Sequence, residues 1–519
     1  MCGILGIYGH GDVISELYDG LLGIQHRGQD AAGVITYNGE GRLHLKKGCG
    51  LVRDVVKPKH FMRMRGHLGI GHVRYPTVGG GCAEDAQPFY VTHPFGIAMA
   101  HNGNLTNFAA LKKDLLEKNQ RYLTSNCDAE AILNVFADAL ARQKVKAPSF
   151  ENICRAVQDV FKRCRGAYSV VAVIAGHGIV VFRDPYGVKP ILFGQKIVEG
   201  KQCYAFASES VALDILGYGN NTRDLMPGEV VFIDAKRKVY SKRLLAKKQA
   251  LCIFEFIYFA RPDSMIDKIS VYKTRLRLGE ELAREWERTG VEADSVIPVP
   301  DTARTSASSF ARVLDLKYRE GLVKNRYVGR TFIMAGQRER QNSIRQKLNP
   351  IKLEFRRRRV LLIDDSIVRG NTSRQIIQLA RDAGARKVYY GSSAAPLKFP
   401  CVYGIDMSTK REFVAKGKTM KEISQSIGAD RVLYQTVDGM VRAASAGNPK
   451  VGFCTACFTG RYPTGDVTPQ ILKAIERERL FKGKGQKGRG EKGKGGKGQN
   501  ALQAGQGCGQ PDCEVSAID

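Results

Sequence analysis

Two folding units of different class are expected from the 519 residues: a strand-rich α+β unit, then an α/β unit built on a mostly parallel sheet. Three observations carry this. Short β-branched runs punctuated by glycine turns fill the chain as far as about Lys238. Helices and strands alternate afterwards, which implies βαβ units. With 43% hydrophobic and 25% charged residues the composition is globular, at a length that allows several cores.

In the first unit Gly69–Val73 and Glu229–Ile233 read as strands. Tyr168–Phe182, broken by Gly176-His177-Gly178, reads as two buried strands joined by a hairpin turn. It is not a membrane span, which needs roughly 20 unbroken apolar residues. One helix stands out: Ala129 to Leu140 places Ile132, Val135, Phe136 and Ala139 at helical spacing, with Asp128 as its N-cap. After a basic connection from Lys242 to Gln249 the expected order is a helix near Ser270–Arg288, strands at Ser295–Val299 and Val360–Ile363, a helix Ser373–Ala383 closed by Gly384, and a strand Lys387–Tyr390. Ligands in such sheets sit at the carboxyl ends of the strands. The run Phe481–Gly498 has seven Lys/Arg, one Glu and eight Gly without apolar periodicity, and is expected to be disordered. The units are therefore drawn at 2–238 and 239–466, with a helix at 467–480 and a tail at 481–519.

The formal charge is +30, which attracts anions: nucleic acid, acidic membrane or phosphorylated metabolites. The glycine-lysine run carries +6 of it, and Arg338–Arg359 another +7. Thirteen cysteines, an odd number, with no secretory signal and no transmembrane segment, point to a reducing, cytoplasmic setting.

Cys2 directly follows Met1. Removal of Met1 would leave a thiol and a free α-amino group on one residue. The amine's reference pKa of roughly 7.7–8.0 lets it act as general base for its own side chain. On its own, Cys-Gly would merely permit removal of Met1. The segments MCGILGIYG, Leu21–Gly33, Gly71–Gly79, Ala100–Leu105, Arg183–Gly194 and Phe206–Ser210 together resemble, in order and spacing, the glutaminase domain of the amino-terminal-nucleophile amidotransferases. That resemblance implies an αββα sandwich. It also implies that Cys2 attacks the side-chain amide of glutamine, that Asn102 and the Gly103 N–H form the oxyanion hole, and that Arg74 and Asp128 hold the substrate's α-carboxylate and α-ammonium. Each residue has a plainer reading too: Asn102-Gly103 as a tight turn, Asp128 as a helix cap, Arg74 in a surface ion pair.

In the second unit, Arg359–Ile377 (RVLLIDDSIVRGNTSRQII) runs from a buried strand through Asp364-Asp365 into a loop of Ser, Gly, Asn and Thr that opens a helix. Two carboxylates suit vicinal hydroxyls, and hydroxyls at a helix N-terminus suit a phosphate. The pattern is not a Walker loop. It resembles the phosphoribosyl diphosphate (PRPP) motif of type I phosphoribosyltransferases. With Ile297–Ala303, Val323–Ile333 and Phe254–Ser264, the chain from Cys2 to about Asp466 is similar to the glutamine-dependent PRPP amidotransferases of purine synthesis. The resemblance implies PRPP bound by Asp364, Asp365, Gly370, Thr372 and Ser373, and Mg²⁺ near Thr302, Asp364 and Asp365. It further implies a mobile loop from Arg338, internal passage of ammonia, feedback by purine nucleotides and a homotetramer. Asn371 stands where the phosphate loop more often has Thr.

Cys454-Thr-Ala-Cys457 is a C-x-x-C pair, open to zinc, redox or cluster chemistry. With Cys252 and Cys401 it matches the four positions that carry a [4Fe–4S] cluster in one branch of this family. A zinc site with Cys508 and Cys513 is the competing arrangement. A non-enzymatic, RNA-associated protein is the competing function, and only the basic tail speaks for it; nucleic acid is a partner expected through the tail alone.

Overall fold

The computed structural model describes residues 1–75, 83–325, 347–407 and 412–477. The glycine-lysine tail, Cys508 and Cys513, and residues 338–346 of the expected mobile loop lie outside them. Met1–Glu476 form one compact unit.

β1 (Gly3–Tyr8), β2 (Ala31–Tyr37), β3 (Leu43–Cys49) and β4 (Leu68–Arg74) belong to one antiparallel sheet. β5 (Phe89–Val91), β6 (Ile97–Leu105), β7 (Gly166–Ile174) and β8 (Gly178–Arg183) belong to a second. β9 (Leu192–Val198), β10 (Lys201–Ala207) and β11 (Thr222–Asp224) extend the first, and β12 (Glu229–Asp234) and β13 (Val239–Arg243) the second. Their orders are β11-β9-β10-β1-β4-β2-β3 and β13-β12-β8-β7-β6-β5.

Period-two alternation divides each strand between two cores. Ile4, Ile35, Ile70, Ala98, Ala100, Val171 and Val173 fill the layer between the sheets. Leu5, Ile7 and Val34 turn outward against the helix Ile14–Gly23, whereas Met99, Val170 and Ala172 pack on the helices Asp128–Ala141 and Phe150–Arg163. The result is the four-layer αββα sandwich. The hairpin over 168–182 is β7 paired with β8, Val173 opposite Ile179.

Two local expectations need correction. Asn102-Gly103 is no turn but the middle of β6, paired with Ser169 and Tyr168. Asp128 is the first residue of its helix and not its cap: Cys127 takes that position without a side-chain capping bond.

The second half holds five parallel strands in the spatial order Lys317–Tyr318, Ser295–Pro298, Arg359–Asp364, Lys387–Ser392 and Arg431–Tyr434. In chain order that is 2-1-3-4-5, so the direction of winding reverses between Ser295–Pro298 and Arg359–Asp364. A doubly wound sheet binds its ligand at the carboxyl ends of such a pair. The expected helices are Val271–Glu287, with Ser270 accepting from the Lys273 N–H, and Asn371–Asp382, two residues earlier than its apolar spacing suggested. A last helix covers 469–477. No helix of the described residues is long and apolar enough to cross a membrane.

Candidate active site

Cys2 leads into β1 in the interior of the sheet, at the end where β4 finishes and one residue beyond the Gly3–Val73 pair, and its thiol donates to the Tyr75 carbonyl at 3.6 Å. Behind it Arg27 is buried and donates from Nε to the Cys2 carbonyl at 2.9 Å. The same guanidinium is bidentate on Glu255, at 2.9 and 3.0 Å, and reaches Glu209. Glu209 also accepts from His26, Ser264 and the Arg261 N–H. Burial alone would raise the Glu209 carboxyl, but the Arg27 charge and these donors hold it down at about 2. The Met1 α-amino group is buried next to this network, and desolvation pushes it down to about 5.

Arg74 ends β4, buried, with Nη2 3.5 Å from Asp85. Asp128 is buried, accepts the Leu105 N–H at 2.8 Å and lies 3.5 Å from His101 Nε2. Burial works against its charge, yet His101 and the backbone donors keep Asp128 below the usual carboxylate range. Gln87 fixes His101 in turn, accepting its N–H at 2.7 Å.

Asn102 is fully buried on β6, and neither polar atom of its side-chain amide has a partner among the described residues. Burying an unbonded amide costs free energy, so such a group points to a ligand that completes it. β6 belongs to the sheet that faces the one carrying Cys2.

The second constellation lies at the reversal point of the parallel sheet. Thr302 Oγ1 and Ser366 Oγ donate to Asp365 at 2.5 and 2.7 Å, and the Tyr390 hydroxyl donates to Asp364 at 2.5 Å. Burial, and then the neighbouring Asp365 charge, raise the Asp364 carboxyl, and burial raises Asp365 too. Two buried carboxylates with hydroxyl donors, and with no cation bonded to them among the described residues, are of the donor type that suits a hard divalent ion bringing phosphate oxygens with it. Gly370 is the N-cap of the following helix at φ +76°, and Ser373 is buried in its first turn. Lys324 reaches Asp301 at 2.8 Å above the same strand ends.

Cys252 and Cys454 sit opposite each other on paired parallel strands, Leu251–Cys252 and Phe453–Cys454. Cys401 and Cys457 are buried in the same apolar cluster, and none of the four is in a disulfide. Burial pushes the Cys252 thiol up to about 11 against the pull of the Lys189 ammonium, and raises Cys454 and Cys457 further. Each of these thiols feels the charge of others in the set. Among the described residues no group of three or more His, Cys, Asp or Glu is arranged to hold a metal ion. Cys252, Cys401, Cys454 and Cys457 are nonetheless all buried within one apolar cluster.

Sequence reasoning assigned no role to Arg27, Glu209, Glu255, His101 or Tyr390. Arg27 and Glu209 lie inside recognised segments, but their pairing spans 182 residues and leaves no local signal.

Residues 74–214 match the family model described as a glutamine amidotransferase domain. The amidophosphoribosyltransferase of Pseudomonas aeruginosa is 52% identical over 92% of this chain and 96% of its own length. That of Escherichia coli is 48% identical over 92% and 96%. Among solved structures, the glutamine PRPP amidotransferase of B. subtilis complexed with ADP and GMP superposes with a TM-score of 0.79 at 35% identity, covering 90% of this chain and 98% of that one.

Proposed function

Because the chain belongs to the amidophosphoribosyltransferase family, we propose a residue-by-residue account of how it forms 5-phosphoribosylamine, pyrophosphate and glutamate from PRPP and glutamine. It is a glutamine-dependent pentosyltransferase of purine biosynthesis.

Once Met1 is removed, the Cys2 α-amino group takes the proton of its own thiol, and the thiolate attacks the glutamine amide carbon. Arg27 holds the Cys2 carbonyl, so the nucleophile enters with its backbone fixed. The carbonyl oxygen, becoming negative, is met by the Asn102 amide and the Gly103 N–H, fixed donors where the charge develops. The protonated α-amine returns its proton to the leaving nitrogen, ammonia departs, and water releases glutamate from the thioester. Arg74, beside Asp85, pairs with the substrate α-carboxylate, and Asp128, beside His101, with its α-ammonium.

In the second half Asp364 and Asp365 receive the ribose hydroxyls, and Gly370, Thr372 and Ser373 hold the 5-phosphate at the helix start. Mg²⁺, when bound near Thr302, Asp364 and Asp365, supplies charge neutralisation for the departing pyrophosphate. Neutral ammonia passes internally from Cys2 and attacks the anomeric carbon. An iron–sulfur group held by Cys252, Cys401, Cys454 and Cys457 would supply a covalent staple between segments far apart in the chain. Purine-nucleotide inhibition and a homotetramer belong to the same proposal. The RNA-associated alternative rests on the tail alone and gains nothing from the sites.

The observation that carries this account is the buried, unpartnered Asn102 amide in the same compact unit as a carboxylate-and-hydroxyl loop at a sheet reversal. Supplying PRPP, glutamine and Mg²⁺ should release glutamate and pyrophosphate in a 1:1 ratio. Glutamate without pyrophosphate would refute the transferase assignment.

A further inference from the structure

The strand that carries the oxyanion donors is held from the opposite half of the molecule at three consecutive points. Gly404, at φ +98°, lies against Gly103 so closely that a Cβ on it would stand 2.7 Å from the Gly103 carbonyl oxygen and 2.9 Å from its carbonyl carbon. Next along β6, Asn104 donates from Nδ2 to the Val402 carbonyl at 3.0 Å. Beyond the end of the strand, the Thr106 hydroxyl donates to Asp466 at 2.6 Å.

The gripping segment is itself tied down. Tyr462 donates to the Pro400 carbonyl at 2.7 Å, and the hydroxyls of Tyr403 and Thr464 are 2.6 Å apart. On its other side Gly103 pairs with Tyr168 of β7, and with φ +153° a Cβ on it would stand 2.0 Å from the Ala167 carbonyl oxygen. The Gly103 peptide is therefore pinned between β7 and the 402–404 segment.

We propose that Gly404, Val402 and Asp466 are positioning residues for the oxyanion hole, so that the phosphoribosyl half sets the geometry in which glutamine is cleaved. The proposal rests on the assignment of Asn102 and Gly103 as oxyanion donors. Donors of this kind act only if they meet the oxygen at hydrogen-bond distance in the transition state, and a displacement of about 1 Å is enough to cost on the order of 100-fold in rate. A grip that serves the transition state alone should appear in kcat and not in KM.

The test uses the full-length protein with Gly404→Ala, Thr106→Val and Thr106→Ser, each assayed with glutamine and separately with ammonia as nitrogen source. Gly404→Ala should lower glutamine-dependent kcat by about 10–100-fold with the glutamine KM little changed. Thr106→Val should lower it by about 10-fold, whereas Thr106→Ser, which keeps the hydroxyl donor, should retain wild-type rates. Inhibition by glutamate γ-semialdehyde, whose thiol adduct puts an oxyanion in the same hole, should weaken in parallel with kcat. Ammonia-dependent activity should stay at the wild-type level in all three. Equal loss of both activities, or a raised KM at unchanged kcat, would overturn the proposal. If Gly404→Ala does not fold, the Thr106 pair decides. Asn102→Ala separates the two layers: full activity in that variant removes the oxyanion assignment itself, while a loss there beside an active Gly404→Ala removes only the grip.

Discussion

Replacing Arg27 by methionine keeps much of the side-chain volume and removes the guanidinium that bonds both buried carboxylates, Glu209 and Glu255. Breaking a buried ion cluster by removing one partner costs about 3–5 kcal/mol, because the charges left behind are desolvated and unpaired. At roughly 2–4 °C per kcal/mol for a large domain, the melting temperature should fall by about 10 °C. The pH dependence has a definite sign. In the wild type Glu209 is depressed from 4.5 to about 2, so its stabilisation is complete above pH 4.5 and disappears as the pH falls through about 2. Without Arg27, burial dominates and raises the same carboxyl, so acidification relieves the variant by neutralising it. The stability gap between wild type and Arg27→Met should therefore be widest near neutrality, begin to shrink as the pH falls through the variant's raised carboxyl pKa, and shrink further below about pH 4.5 as the wild type loses its own stabilisation. Losing the bond to the Cys2 carbonyl should lower glutamine-dependent kcat by about 10–100-fold, since a hydrogen bond from a charged group is worth about 1.5–3 kcal/mol. Thermal unfolding from about pH 3 to 7, together with glutamine hydrolysis, reads both effects. A variant within about 1 kcal/mol of wild type at neutral pH, or a gap that widens on acidification, would refute the reasoning.

Asp364→Asn should move activity and stability in opposite directions. It removes one of two mutually repelling buried carboxylates, whose raised pKa costs stability as the pH rises through it, so the ligand-free variant should melt higher. Its activity with ammonia should fall by about 10–100-fold, and equal activity would remove Asp364 from the PRPP site. Cys454→Ser in anaerobically purified protein should lower iron and acid-labile sulfide together; zinc without iron in the wild type would rule out the iron–sulfur assignment.

Much of the architecture was legible because it is local. The break at Gly176-His177-Gly178 between two β-branched runs has one natural solution, β7 folded on β8. The helix after Asp365 was legible too, except that it starts at Asn371, because the left-handed Gly370 ends the loop earlier than apolar spacing reveals. Asp128 marks where local reasoning stops. Its type and place suggest a cap, but its carboxylate reaches sideways to the Leu105 N–H on β6 and toward His101, a choice made by packing between layers. The same holds for the cluster of Arg27, Glu209 and Glu255 and for Gly404 against Gly103, contacts between residues hundreds of positions apart. No period or spacing encodes them.

The central claim is that Cys2 opens glutamine while a separate site uses the ammonia. Cys2→Ala, assayed side by side with glutamine and with free ammonia in the presence of PRPP and Mg²⁺, tests it most directly. Glutamine-dependent release of pyrophosphate should vanish while ammonia-dependent release continues near the wild-type rate. Retention of glutamine-dependent activity, or loss of both, would contradict the account.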